Sequence, residues 1–206
     1  MKVLGIVCSP RRRGNTEILV DEALASAKDS GAEVELVTVS GKNIAPCDGC
    51  ESCIITGKCR IEDDMQEIYS KLSEADGIIF GTPVYFWSVT AQAKAIIDRT
   101  YVLWRDGRRL RNKVAGVVVV GGRTGTSHAF SVFHNFFTLH RMTSAAGAIA
   151  YASGEEIKTE DRGGGAIAYA DEKGGVRQDR RGMAEAKALG RAVVKTIEKY
   201  KEGGLI

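Results

Sequence analysis

No apolar run in this chain is long enough to cross a membrane. The longest, such as residues 114–120, are strand-sized, against the roughly 20 residues a spanning helix requires. Charge of one sign is not concentrated either. The net charge is +3 and the basic residues are spread along the chain, which argues against a dedicated nucleic-acid or membrane-surface protein. The N-terminal MKVLGIVCSP has too short an apolar part for a signal peptide and reads directly as a first strand, so cytoplasmic residence is expected. Internal repeats and low-complexity tracts are missing as well. What is left, 44% hydrophobic and 27% charged over 206 residues, is ordinary globular material sufficient for one domain with a sizeable core.

Cysteine is few in number but not scattered. Four of the five fall within PCDGCESCIITGKC, as Cys47, Cys50, Cys53 and Cys59, and the fifth, Cys8, ends the first apolar run. Two disulfides, a structural zinc and an iron–sulfur cluster compete for the four. Reducing thiol pools make stable disulfides rare in the cytosol, and a domain of this size has no need of staples. Zinc accepts four thiolates, but usually from two C-x2-C knuckles across a longer spacer. Three cysteines at successive x2 steps are typical of iron–sulfur loops, and the fourth follows closely enough to complete the same cluster. Gly49 and Gly57 relieve the loop's backbone, while Lys58 and Arg60 flank the last ligand. The spacing therefore favours a cluster over zinc, and Cys8 reads as a small core residue.

Strand-like and helix-like segments alternate along the rest. Residues 2–8, 33–39, 77–80, 114–120 and 145–150 read as strands, and 16–30, 88–101, 127–140 and 183–200 as helices. In the first helix Ile18, Leu19, Ala23, Ala25 and Ala27 supply the apolar positions, and Ser30-Gly31 ends it. Asp63 with Gln66 three residues on has the form of a capping box opening a further helix. Apolar strands between helices predict a parallel sheet covered on both faces, and five of them suit the flavodoxin-like doubly wound α/β fold. One domain spanning 1–206 is expected, with a cysteine-rich loop at 43–62 and a second insert near 154–182, which is long for a connection. In such sheets ligands bind beyond the carboxyl ends of the strands.

The loops at those ends are unusual. After the first strand come Ser9-Pro10-Arg11-Arg12-Arg13-Gly14-Asn15-Thr16, small and basic donors at a helix N-terminus, suited to a phosphate. No Gly-Lys-Ser/Thr follows, so this is not a Walker A loop. After the third strand, Gly81-Thr82-Pro83-Val84-Tyr85-Phe86-Trp87-Ser88 gathers three aromatics on a loop, a surface for a flat heteroaromatic ring. After the fourth, Gly121 and Gly122 permit close backbone approach, without a G-x-G-x-x-G fingerprint.

The Ser9-Pro10-Arg11 and Gly14-Asn15-Thr16 segments, the compact four-cysteine motif, Asp63-Asp64-Met65 and Gly81-Thr82-Pro83-Val84-Tyr85 together resemble the iron–sulfur flavoproteins, within the NADPH-dependent FMN reductase branch of flavodoxin-like proteins. The match runs from the N-terminus to about Arg99 and takes in the Gly-Gly turn near Val120. Gly121–Thr126 lacks the Gly-Gln-Glu ending common in the reductases, and 154–182 does not align. This resemblance implies that Ser9, Arg11, Gly14, Asn15 and Thr16 hold the FMN phosphate. Pro83, Val84, Tyr85 and Phe86 would lie along the ribityl chain and ring, near Gly121 and Gly122. Cys47, Cys50, Cys53 and Cys59 would ligate a 4Fe–4S cluster, in a homotetramer where the flavin of one subunit lies near the cluster of another. The expected activity is electron transfer from a one-electron donor such as ferredoxin, through the cluster to FMN, and on to a small-molecule acceptor (quinone, dioxygen or peroxide). No side chain need act as acid or base. Lys42, Lys58 and Arg60 lie where they would steer an acidic donor, though Asp48, Glu51, Glu62 and Asp63 are equally near. Two alternatives make other forecasts. An NAD(P)H-dependent FMN or quinone reductase would have zinc or no metal at the cysteines, and a zinc-bearing nucleic-acid module would bind no flavin.

Overall fold

The computed structural model describes residues 1–122, 124–152 and 174–204. Five strands, β1 (Lys2–Val7), β2 (Glu33–Thr38), β3 (Gly77–Pro83), β4 (Val114–Gly121) and β5 (Thr143–Tyr151), pair in parallel in the order β2-β1-β3-β4-β5. The sequence order reverses between β1 and β3, the point where sheets of this kind open a crevice at their carboxyl ends.

Period-two alternation divides each central strand between two cores. Leu4, Ile6, Phe80, Val117 and Val119 face α3 (Met65–Glu74), α4 (Ala91–Arg99) and α6 (Thr126–His140). Val3, Val7, Ile79 and Val118 face α1 (Asn15–Asp29) and α7 (Arg180–Glu202). Two short helices, α2 (Ser52–Thr56) and α5 (Tyr101–Arg105), belong to the connections. A 3-10 turn, Gly175–Gln178, precedes α7.

The elements differ from the sequence expectation in four places, each with a local cause. The buried stripe of α1 is Leu19, Val20, Ala23, Leu24 and Ala27, while Ala25 is exposed; the 3.6-residue period places Val20 and Leu24 inward and turns Ala25 out. The helix expected over 88–101 starts later and divides, because Thr90 caps α4 by accepting the Ala93 N–H at 3.1 Å and Val84 to Val89 are used in a loop. The capping box does not form. The Gln66 side chain donates to the Ile61 carbonyl at 2.7 Å instead, and Asp63 is drawn into an ion pair described below. Finally, α7 begins at Arg180, where the Asp179 carboxylate accepts the Gly182 N–H at 2.8 Å. Of the insert expected near 154–182, residues 154–173 lie outside the described residues, and 174–182 form the 3-10 turn and the start of α7.

Candidate functional site

Three loops meet at the carboxyl end of the sheet. The first, after β1, is held to the third strand by the Cys8 N–H, which donates to the Gly81 carbonyl at 2.7 Å. Cys8 itself is fully buried, and burial pushes its thiol up to about 12. It is a core residue and not a thiolate ligand. Ser9 is buried, its hydroxyl accepting the Arg11 N–H at 3.2 Å. Arg12 reaches across to the Ser40 carbonyl, and the Ser40 hydroxyl donates back to the Pro10 carbonyl at 2.7 Å. Gly14 stands at the N-cap of α1 with extended backbone and no side-chain cap bond. The positive end of the helix thus has no capping side chain, although the Glu17 carboxylate lies in its first turn and accepts the Arg13 N–H at 2.7 Å. Thr16 is buried against Gly81. The Asn15 side-chain carbonyl accepts the N–H groups of Gly174 at 2.9 Å and Val176 at 3.3 Å, tying the 3-10 turn to the loop after β1.

The second loop, after β3, is a two-residue hairpin. Tyr85 and Ser88 exchange backbone hydrogen bonds of 2.9 and 3.1 Å around Phe86 and Trp87. Both central residues have positive φ, 45° and 68°, the type I′ geometry normally given to Asn-Gly. Two aromatics held in the left-handed region constitute stored backbone strain, of order 1–2 kcal/mol each. Phe86 is 85% exposed and Trp87 66%, so packing among the described residues does not repay that strain. Pro83 and Val84 are half-buried at the base, where the Val84 N–H donates to the Val120 carbonyl at 2.8 Å.

Thr90 joins these two loops. Its hydroxyl donates to the Cys8 carbonyl at 2.6 Å while accepting from Ala93. Nothing in the sequence reading singled it out; a Thr three residues ahead of an apolar helical run is the signal that was available. The third loop, after β4, closes on the second through Gly125, whose φ is 84°. A Cβ there would lie 2.9 Å from both Trp87 Cα and Val84 Cγ1. Gly121 is buried and Gly122 half-buried beside it. Ser9, Gly14, Thr16, Pro83 to Phe86, Gly121 and Gly122 are thus brought to one end of the sheet.

The cysteine loop is fastened separately. It leaves β2 and returns at α3, pinned by Asp64, which accepts the Asn43 N–H at 2.6 Å, and by Asp63, which accepts the Ala45 N–H at 2.9 Å. Gly49 and Gly57 have φ of 68° and 69°, as the loop's turns require. Cys47, Cys50, Cys53 and Cys59 all line one cavity of about 160 Å³, walled on its far side by Asp98, Arg99, Tyr101 and Val102. Burial, with the other three thiols close by, pushes the Cys53 thiol up. Arg60 pairs with Asp48, whose carboxyl is held below its usual range by hydrogen bonds from Cys50 and by Arg60. Among the described residues no three His, Cys, Asp or Glu side chains converge tightly enough for a single metal ion. The donor set nevertheless suits a soft metal centre: four thiols, the ligands that iron–sulfur clusters and zinc take, line one cavity.

Beneath that cavity lies a feature invisible to periodicity. Arg99 and Asp63 form a bidentate ion pair of 2.7 and 3.0 Å with side chains 0% and 2% exposed. Arg99 also donates to the carbonyls of Ala45 at 2.8 Å and Ile61 at 3.3 Å, and to the Tyr69 hydroxyl at 3.1 Å. Its pKa is raised further: burial opposes the charge, but Asp63 and the nearby Tyr69 and Cys59 outweigh it. No residue of the three sheet-end loops lines the cysteine cavity. The far wall of that cavity comes instead from the end of α4 and the start of α5.

A five-stranded parallel sheet in this order, with phosphate-type and aromatic loops at its carboxyl end, defines a flavodoxin-like protein. Solved structures agree on the fold: RosB with a bound 8-demethyl-8-formylriboflavin-5′-phosphate intermediate (TM-score 0.75, 21% identity, 98% of this chain and 81% of that one). An NAD(P)H:quinone oxidoreductase from Methanothermobacter marburgensis is also similar (TM-score 0.65, 15% identity, 93% and 98%). The model of the NADPH-dependent FMN reductase family matches residues 1–156. An iron–sulfur flavoprotein of Methanocaldococcus jannaschii is 49% identical over 144 residues, covering 69% of this chain and 74% of that one. Another, from Methanosarcina thermophila, is 39% identical over 163 residues, covering 76% and 85%. The chain belongs to the iron–sulfur flavoprotein family, in the FMN reductase-like branch, and is an oxidoreductase of the flavin electron-transfer class. Among the described residues no helix is long and apolar enough to cross a membrane.

Proposed function

We propose that this chain binds FMN at the sheet-end loops and a 4Fe–4S cluster at Cys47, Cys50, Cys53 and Cys59, and carries electrons from a ferredoxin-like donor to a quinone, dioxygen or peroxide. The observation that carries this reading is that all four thiols line one cavity, in a chain 49% and 39% identical to two iron–sulfur flavoproteins. The flavin phosphate would take the uncapped N-terminus of α1, with Ser9, Arg11, Asn15 and Thr16 around it, and the ring the exposed face of Tyr85 and Phe86. When bound, the two cofactors supply the exchange of single electrons on the donor side for an electron pair on the acceptor side.

The side chains bind, orient and shield. Thr90 and Gly125 lock the loops that would contact the flavin, so little ordering remains to be done on binding. Tyr101, in the cavity wall, stacks on Trp104 with ring centroids 5.8 Å apart, and Arg105 and Arg108 lie 5.6 and 5.5 Å from the Trp104 ring. That aromatic edge with its two cations would receive an acidic donor. Lys42 and Arg60 are less available for steering than their sequence positions imply, being paired with Glu67 and Asp48. Because the sheet-end loops do not reach the cysteine cavity, a tetramer that sets one subunit's flavin against another's cluster suits this geometry.

Replacing Cys50 with Ala tests the ligand assignment. Iron and acid-labile sulfide are expected to fall to near zero while FMN stays stoichiometric. Full iron retention would contradict the assignment, and zinc in the parent protein would favour the NAD(P)H-dependent reductase reading.

A further inference from the structure

From its four contacts with the cysteine loop we infer that Arg99 is the positioning residue for the cluster site, clamping both ends of that loop so that its thiols are set before the cofactor arrives. The inference rests on the cluster reading above but concerns a residue outside the motif. Arg99 sits at the end of α4, more than thirty positions beyond the last cysteine in sequence. Its guanidinium donates to the carbonyl of Ala45, two residues before Cys47, and to that of Ile61, two residues after Cys59. The loop thus leaves and re-enters through one planar fork. Asp63 completes the clamp from the loop's side, holding Arg99 with both oxygens while accepting the Ala45 and Met65 N–H groups. Tyr69 fixes the remaining direction: its hydroxyl accepts from Arg99 Nε and donates to the Arg99 carbonyl, both at 3.1 Å.

Four of the five hydrogen bonds that the guanidinium donates go to Ala45, Ile61 and Asp63, at the two ends of the loop. A buried guanidinium needs partners for all its donors whatever its role; what distinguishes Arg99 is where those partners lie. Here the fork also spans two loop carbonyls, those of Ala45 and Ile61, the second shared with the Gln66 side chain, and Arg99 is among the residues that line the thiol cavity. The planar five-donor fork is what a lysine lacks, although a lysine keeps the charge. The geometric and the electrostatic parts of the role can therefore be separated.

The test is Arg99→Lys, examined by thiol alkylation of the metal-free chain, with Cys8 as an internal reference. Cys53 and Cys59 are half-buried in the loop, whereas Cys8 is fully buried in the sheet core. Loosening of the loop is expected to speed alkylation of Cys53 and Cys59 at least tenfold and leave Cys8 protected. In the anaerobically loaded protein, loss of iron to a chelator should accelerate by a similar factor. Unchanged rates at Cys53 and Cys59 would overturn the clamp. Equal acceleration at Cys8 would also overturn it, since Arg99 would then be supporting the fold as a whole. Should Arg99→Lys fail to fold, Tyr69→Phe removes one arm of the fork's support and must give the same pattern in smaller measure. A parent protein that holds no iron would sink the cluster reading, while the alkylation pattern would still decide the clamp.

Discussion

At the scale of single residues, burial sets the chemistry more firmly than residue type does. His140 is 2% exposed on α6. The Thr100 hydroxyl donates to the Ile97 carbonyl at 2.6 Å and so accepts from His140 Nε2 at 3.1 Å. That assigns the proton of the neutral ring to Nε2, and Nδ1 faces no partner among the described residues. Protonation would leave a buried, unpaired N–H, and burial accordingly lowers this histidine to about 4. A folded-state pKa below the unfolded 6.5 means that the unfolded chain binds the extra proton. Stability is therefore full above pH 6.5 and falls as pH drops from 6.5 toward 4, by up to about 3 kcal/mol. Thermal unfolding across that range should show the loss, and His140→Leu should flatten it; an unchanged slope in the variant would reassign the effect. The cysteines and the glycines between them were legible at this scale because spacing alone exposes them. Arg99 is not, because a partner 36 positions away leaves no periodic trace, and Asp63 is legible as a capping residue and a motif member but not as an ion-pair partner.

The scale of elements shows where local rules are overridden. Central strands and long helices follow from their patterns, since fully buried parallel strands are apolar without interruption. The hairpin at Phe86-Trp87 does not, for no sequence rule assigns two aromatics to a type I′ turn. Its geometry depends on Gly125, and Gly125→Ala would combine a left-handed backbone penalty with a Cβ 2.9 Å from Trp87 Cα. We expect FMN affinity to drop about tenfold, from roughly 1–2 kcal/mol of strain, with iron content unaffected; flavin titration of the FMN-free protein would read it. Helix packing offers a second check. A Cβ on Gly190 of α7 would approach the Ala23 carbonyl oxygen of α1 to 2.0 Å. Gly190→Ala should therefore destabilise by about 1–3 kcal/mol or more, as overpacking does, visible as a lowered denaturation midpoint. Equal stability would mean that the two helices separate without cost.

Over the whole molecule, the sheet divides labour between its faces and its end. One face, under α1 and α7, is core. The other, under α3, α4 and α6, carries the cysteine loop on its margin, with Cys53 and Cys59 packed against that core. The carboxyl end holds the loops that suit a flavin. Sequence order predicted this fold and these loops, since alternating elements and loop composition are local properties. It did not predict that Arg99, Tyr101 and Val102 would wall the cysteine cavity, because that wall is assembled only when the end of α4 and the start of α5 come against the loop. Both redox groups, flavin and cluster, are expected on one chain. The most direct measurement is the visible spectrum, with iron, sulfide and FMN content, of protein purified without oxygen. Flavin bands over a broad iron–sulfur absorbance, with iron and sulfide in 4Fe–4S proportion to FMN, are predicted; flavin with zinc and no iron, or a colourless protein, would contradict it.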